Sequence, residues 1–284
     1  MNSIEKHINK YGQPDAIIDP HNYQSKKYMI WGFDSICMYL NNSLFINDVI
    51  IEGNPLEILD SIIDEWAEKS SASINAIGYI SYDFKNNLLP HLKLKEHKAT
   101  DIPLLWFAKP KHIIEFDEPD LNQFFKDEFN IDIISDIPNQ NQYKDAISTI
   151  KNYLRKGDVY QINYTNPKKY KITGNPLSIY AKLRSISEPD NGYYINTGFN
   201  YILSLSPESF FTVKNNIIES MPIKGTRDKV IGKNEKLIDD LRNSQKDKAE
   251  HLMIVDLLRN DIGKVCKYGT VNVSDLFNIN TYKN

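Results

Sequence analysis

Glu208 lies in the segment Ser204-Leu205-Ser206-Pro207-Glu208, and Lys224 lies in Pro222-Ile223-Lys224-Gly225-Thr226-Arg227. A carboxyl and a primary amine presented together supply a general acid and a nucleophile. An amine attacks only when neutral. A lysine of ordinary pKa, about 10.4, is neutral about 0.04% of the time at pH 7, so a nucleophilic lysine needs desolvation or a neighbouring charge that favours the neutral form. A carboxyl that protonates a leaving group must likewise be kept protonated by its surroundings. The plain alternative is an ion pair on the rim of a sheet, worth under ~1 kcal/mol.

Strand geometry is what must bring the two together. Residues 201–205 alternate apolar and small side chains, 209–213 and 217–220 are β-rich, and Lys214-Asn215-Asn216 is a hairpin turn, so the three strands are expected to form a meander. Counting outward from a turn centred near Asn215 puts Glu208 opposite Pro222, at the same open end as Lys224. Proline and glycine break the ladder there and leave side chains free of strand pairing.

Elsewhere the chain alternates strand and helix signals. Residues 1–53 carry short apolar segments at 16–18, 28–33 and 43–51. Asn54-Pro55 opens a helix in which Leu56, Leu59, Ile62, Ile63 and Trp66 share a core-facing stripe. Residues 76–83 read as a strand, with Gly78 marking a close backbone approach. Residues 102–108 and 112–116 read as a hairpin across Lys109-Pro110-Lys111, and 117–141 as an acidic linker holding a short helix. The boundary is placed there, giving regions 1–140 and 141–284. Tyr143 to Leu154 form an apolar helical stripe stopped by Gly157, residues 157–163 alternate as a strand, and Asn175-Pro176 opens a helix through Arg184. The turn 188–192 leads into a strand at 193–197. From Ser244 to Gly263 a helix is expected, apolar nearly all round between Leu252 and Leu258 and therefore buried, with Gly263 closing it. Glu250 and Asp261 share one of its faces, and buried acids need a partner or a cation.

Composition narrows the function classes. With 284 residues, 41% apolar, 25% charged and a net charge of -3, the chain has an ordinary globular make-up and no basic bank for nucleic acid or an anionic membrane. Neither is expected as a partner. The amino terminus lacks an apolar leader, no apolar run approaches the ~20 residues of a membrane span, and Cys37 and Cys266 stand far apart, all of which fits a reducing cytoplasm. The six histidines have no metal-ligand spacing. No phosphate loop, Ser/His/Asp set or Cys/His set is present.

The motifs Ser204-x-Ser206-Pro207-Glu208-x-Phe210 and Pro222-Ile223-Lys224-Gly225-Thr226-Arg227 resemble those of the chorismate-utilising enzymes, in particular component I of aminodeoxychorismate synthase. The similarity extends to Gly78-Tyr79-x-x-Tyr82-Asp83, Pro103-Leu104-x-Trp106-Phe107, Gly157-Asp158-x-Tyr160-Gln161-x-Asn163 and, most specifically, the span from Ser244 to Gly263. The resemblance implies an α+β fold in which two packed, mainly antiparallel sheets carry helices outside. It implies that Lys224 adds covalently to C2 of chorismate while Glu208 protonates the departing C4 hydroxyl, that Gly225 and Thr226 contact substrate, and that Glu250 is one ligand of Mg²⁺. A glutamine amidotransferase subunit is the implied source of ammonia. Anthranilate synthase component I is the weaker alternative within the family, because anthranilate-forming relatives usually carry alanine where Lys224 stands. In the relatives, a catalytic histidine, a Gly-rich loop and a second metal-binding glutamate follow the point that matches Asn284. The chain is therefore expected to be truncated at its C-terminus and inactive alone, completed by a polypeptide supplying the missing half or else a non-catalytic remnant. His251 stands where the relatives have asparagine, which leaves the bonding around Glu250 open.

Overall fold

The computed structural model describes residues 3–20, 26–69, 72–92, 94, 101–117, 120–136, 139–228 and 234–281. In chain order the elements are α1 (Ser3–Tyr11), β1 (Ala16–Ile18), β2 (Lys27–Leu40), β3 (Ser43–Ile46), β4 (Val49–Ile51), α2 (Pro55–Glu68), β5 (Ile77–Ile80), α3 (Lys85–Leu88), β6 (Leu105–Phe116) and β7 (Phe129–Asp136). They continue as α4 (Gln140–Lys156), β8 (Lys168–Gly174), α5 (Pro176–Ser187), β9 (Asn191–Asn196), β10 (Tyr201–Ser206), β11 (Thr212–Lys214), β12 (Ile217–Glu219), α6 (Asn234–Asn243) and α7 (Gln245–Gly263). The chain divides into two compact units, Met1–Leu121 with Lys182–Asn284, and Asn122–Ala181.

The larger unit is built on an eight-stranded antiparallel sheet ordered β10-β9-β1-β2-β3-β4, with β6 along the other edge of β2 and β5 beyond it. Strand alternation sends neighbouring side chains to opposite faces. Cys37 and Leu105 join Leu59, Ile62, Trp66 and Phe84 in one buried cluster, while Met38 and Trp106 join Ala16, Ile30, Ala108 and Ile195 in another. Helix α2 supplies the first cluster as its stripe requires, and the Asn54 side chain caps it by accepting from the Leu56 N–H at 3.0 Å. A Cβ on Gly78 would collide with the carbonyl oxygen of Trp106 on β6, so the expected close approach is present.

Several expectations change. The hairpin expected across residues 109–111 is instead the single twelve-residue strand β6. Pro110, which has no N–H to donate, sits opposite Phe33 where the pairing with β2 shifts register between Phe33 and Ser35, so the ladder tolerates it. Within the linker expected at 117–141, residues 129–136 form β7, which pairs with β8 rather than with the large sheet. Residues 157–163 are irregular instead of a strand. Gly157 does stop α4 in a left-handed turn, at φ 76°, but α4 has no buried residue. In the smaller unit the Ser178 hydroxyl accepts from the Asp127 N–H, and Asn175 Nδ2 donates to the Asp127 carboxylate at 2.7 Å.

The fold is thus α+β with antiparallel sheets and helices. Among the described residues no helix is long and apolar enough to cross a membrane.

Candidate active site

β9 and β10 pair in register from Tyr201 opposite Asn196 to Ser206 opposite Asn191, which carries the chain to Glu208. The expected meander is broken here: among the described residues β11 pairs only with β12, as a separate two-stranded ribbon. The cause is local. Ser206 Oγ donates to the Glu208 carbonyl at 2.7 Å and accepts from the Glu208 N–H at 3.2 Å, so the Ser-Pro-Glu corner folds on itself instead of continuing the ladder. Asn215 and Asn216, at φ 52° and 60°, make the tight turn that reverses the ribbon.

The ribbon pairs Thr212 with Glu219 and Lys214 with Ile217, and this register continued outward sets Glu208 opposite Ile223, one residue beyond the Pro222 expected from counting. Ser220 Oγ donates to the Phe210 carbonyl at 2.7 Å and keeps the two segments side by side past the last ladder bond. Glu208 Oε1 then accepts from the Ile223 N–H at 3.1 Å. The carboxylate is therefore anchored next to the residue that bears the amine. Oε1 accepts this bond, and among the described residues Oε2 makes no hydrogen bond. Glu208 is exposed, Lys224 is half-buried, and among the described residues no ion pair joins them.

Gly225 follows at φ +74°, in the left-handed region, and a Cβ there would lie 2.8 Å from Leu241 Cδ1 and 3.1 Å from Asp247 Cβ. The loop thus turns tightly against α6 and α7. Thr226 is exposed and its carbonyl accepts from Arg227 Nη1 at 3.0 Å. Arg227 Nε donates to Asp240 Oδ2 at 2.7 Å and Nη2 to Asp247 Oδ2 at 2.9 Å. These hydrogen bonds, first that to Asp240, hold the guanidinium above its ordinary pKa. The Ser244 hydrogen bond, and then Arg227, hold the Asp247 carboxyl below the usual carboxylate range. The motif containing Lys224 was legible in sequence, but the carboxylates that receive Arg227 were not, because nothing local links Arg227 to α6 and α7.

Helix α7 begins as expected, with Ser244 accepting from the Asp247 N–H, but it is not buried. Leu252 is 42% and Leu257 46% exposed. Gly263 is its last residue rather than its stop, since the cap is Lys264 at φ -71°. Asp256 pairs with Arg259 and Asp261 with Lys264, so these acids are solvated ion pairs and not buried groups in search of a cation. Glu250 lies 3.8 Å from Lys246 Nζ, whose side chain is 82% exposed. His251 turns its ring to Phe277, with centroids 5.8 Å apart.

Among the described residues no group of three His, Cys, Asp or Glu side chains could hold a metal. Magnesium takes one or two protein carboxylates with substrate oxygens and water completing its shell, so Glu250, a single carboxylate 3.8 Å from the Lys246 ammonium, offers at most one ligand and would hold the ion poorly by itself.

The model of the family described as chorismate binding enzyme matches residues 17–284. Anthranilate synthase component 1 of Saccharolobus solfataricus is 36% identical over 249 residues, covering 82% of this chain and 59% of that protein. Aminodeoxychorismate synthase component 1 of Bacillus subtilis is 35% identical over 142 residues, covering 49% of this chain and 30% of that protein. The crystal structure of anthranilate synthase component I from Streptococcus pneumoniae matches with a TM-score of 0.69 at 22% identity, over 93% of this chain and 67% of that one, and so shares its fold. The chain spans 59% of the length of the Saccharolobus relative and 57% of a second, from Acetivibrio thermocellus.

Proposed function

The chain belongs to the chorismate-binding enzyme family, and on that premise we propose that it carries the nucleophile and the acid for making 4-amino-4-deoxychorismate, the aminodeoxychorismate synthase reaction on the route to p-aminobenzoate and folate. The observation that carries this reading is the bond from the Ile223 N–H to Glu208, which anchors a carboxyl beside the loop of Lys224. The neutral Lys224 amine attacks C2 of chorismate, the ring double bonds shift, and the C4–O bond breaks as Glu208 delivers its proton from Oε2 and the hydroxyl leaves as water. Ammonia then attacks C4 and returns a proton to the Glu208 carboxylate, the electrons shift back, and the C2–N bond to the protonated Lys224 nitrogen breaks, returning the neutral amine. Gly225 and Thr226 present loop backbone to the substrate. Glu250 would hold Mg²⁺, which when bound neutralises a substrate carboxylate. Ammonia comes in this scheme from a glutamine amidotransferase subunit.

A second reading is anthranilate formation, which the name of the Saccharolobus relative favours, its match covering more of this chain than the Bacillus one does. The two differ in where nitrogen enters, C2 for anthranilate and C4 here, and Lys224 is the residue that covers C2.

The test is intact-mass and peptide analysis of the protein with chorismate and Mg²⁺ but no ammonia, alone and mixed with a polypeptide supplying the rest of a relative's length. Lys224 is expected to gain the mass of chorismate less one water in at least one preparation, and Lys224→Ala to gain nothing. No adduct in either, or one at another residue, would overturn the proposal. With ammonia added, anthranilate as the product would select the second reading.

A further inference from the structure

Arg227 spends its side chain on joining the lysine loop to two helices. It follows Lys224 by one short stretch of loop, and all three guanidinium nitrogens are engaged: Nε to Asp240 on α6, Nη2 to Asp247 on α7, and Nη1 to the Thr226 carbonyl. A guanidinium fork held on three acceptors has a fixed plane, which an ammonium could not reproduce. Asp247 is itself immobilised. Its N–H is bonded to Ser244 Oγ, its side chain is only 16% exposed, and its Cβ and Cγ pack against Gly225. Asp247 and Glu250, three residues apart on α7, occupy one helix face. The same side chain that receives Arg227 therefore sits one turn from the carboxylate read as the metal ligand.

We propose that Arg227, through Asp247 and Asp240, is a positioning residue that sets the Lys224 loop at a fixed place on the helix face carrying Glu250. The roles of Lys224 and Glu250 rest on the function proposed above, while the clamp itself rests only on the contacts just described. An isolated surface ion pair contributes little to order. Here two carboxylates from different helices converge on one cation, and the glycine next to the lysine allows the approach.

The first experiment needs no substrate. Hydrogen exchange of the Ile223 amide, the loop N–H that is bonded to Glu208, is expected to accelerate about tenfold or more in Arg227→Ala, and by an intermediate factor in Arg227→Lys, while exchange in α2 is unchanged. Arg242→Ala, which removes an exposed pair with Asp239 on α6, serves as the control and is expected to leave the loop as it is. Unchanged loop exchange in Arg227→Ala would overturn the clamp. A global rise that includes α2 would also count against it, since it would mean general destabilisation. The second experiment follows the rate of chorismate addition to Lys224. A clamp that positions the amine predicts at least a tenfold slower addition in Arg227→Ala with partial recovery in Arg227→Lys. A loosened loop with an unchanged addition rate would reject the positioning role and leave the function standing. Absence of any adduct in the unmodified protein would reject the function and leave the clamp to be judged by exchange alone.

Discussion

Gly225 shows how little freedom the lysine loop has. Its φ of +74° costs an L-residue about 1–2 kcal/mol, and the added methyl would press on Leu241 and Asp247. Leu241 can give way at the end of its side chain, but Asp247 is held by Arg227 and Ser244. Gly225→Ala is therefore expected to lower stability by about 1–2 kcal/mol in urea unfolding and to slow chorismate addition to Lys224. An unchanged midpoint would mean that the loop relaxes without strain. Glu208 teaches a related lesson. Its type and its place beside Pro207 could be read directly, and counting brought it within one residue of its partner; the last residue of register is decided by Ser206 folding the corner and Ser220 holding the ribbon closed.

At the scale of elements, the last turn of α5 is tied by charge to Asp19, the residue after β1. Arg184 Nη2 donates to Asp19 Oδ1 at 3.0 Å, Nε lies 2.5 Å from Oδ2, and Lys27 Nζ is 3.2 Å from Oδ1. Asp19 is 1% exposed and Arg184 3%. Removing one partner of a buried pair strands the other charge, so Arg184→Ala is expected to cost about 3 kcal/mol in denaturant unfolding, with Arg184→Lys recovering part of it. A loss under about 1 kcal/mol would show that Lys27 suffices for Asp19. No sequence signal marked this pair, since its members lie 165 residues apart. Helices α2 and α4 were legible because stripe and cap agree locally, at Asn54 for α2 and at Gly157 for α4. Burial was not legible in the same way: α4 and α7 have apolar residues at core-like spacing, yet neither has a buried residue.

For the larger unit as a whole, four groups shielded from water predict how stability responds to alkali. Burial pushes the Cys37 thiol from 9.0 up to about 11 and the Tyr79 phenol from 10.0 up to about 12, and it raises Tyr193 and Tyr194 as well. Each raised group keeps its proton in the folded chain over a range in which the unfolded chain has lost it. The folded state binds more protons there, so the stability is fully present below about pH 9 and declines as pH rises toward about 12. Urea midpoints measured from pH 8 to pH 11 should fall, and Cys37→Ala should flatten the early part of the decline. A level profile would mean that these groups titrate alike in both states.

The amino-acid sequence by itself determined the family motifs that contain Glu208 and Lys224, the helix α2 with its core stripe and the turn at Asn215-Asn216, because each of these depends on residues close together in the chain. Tertiary structure decided the rest. It continued β6 through Pro110 by placing the proline at a register shift, split the expected meander at Ser206, set Glu208 against Ile223, and brought Asp240 and Asp247 to Arg227. Those outcomes turn on which strand edges and helix ends meet in space; counting along the chain came within one residue of the Glu208 register but could not reach the helices that receive Arg227.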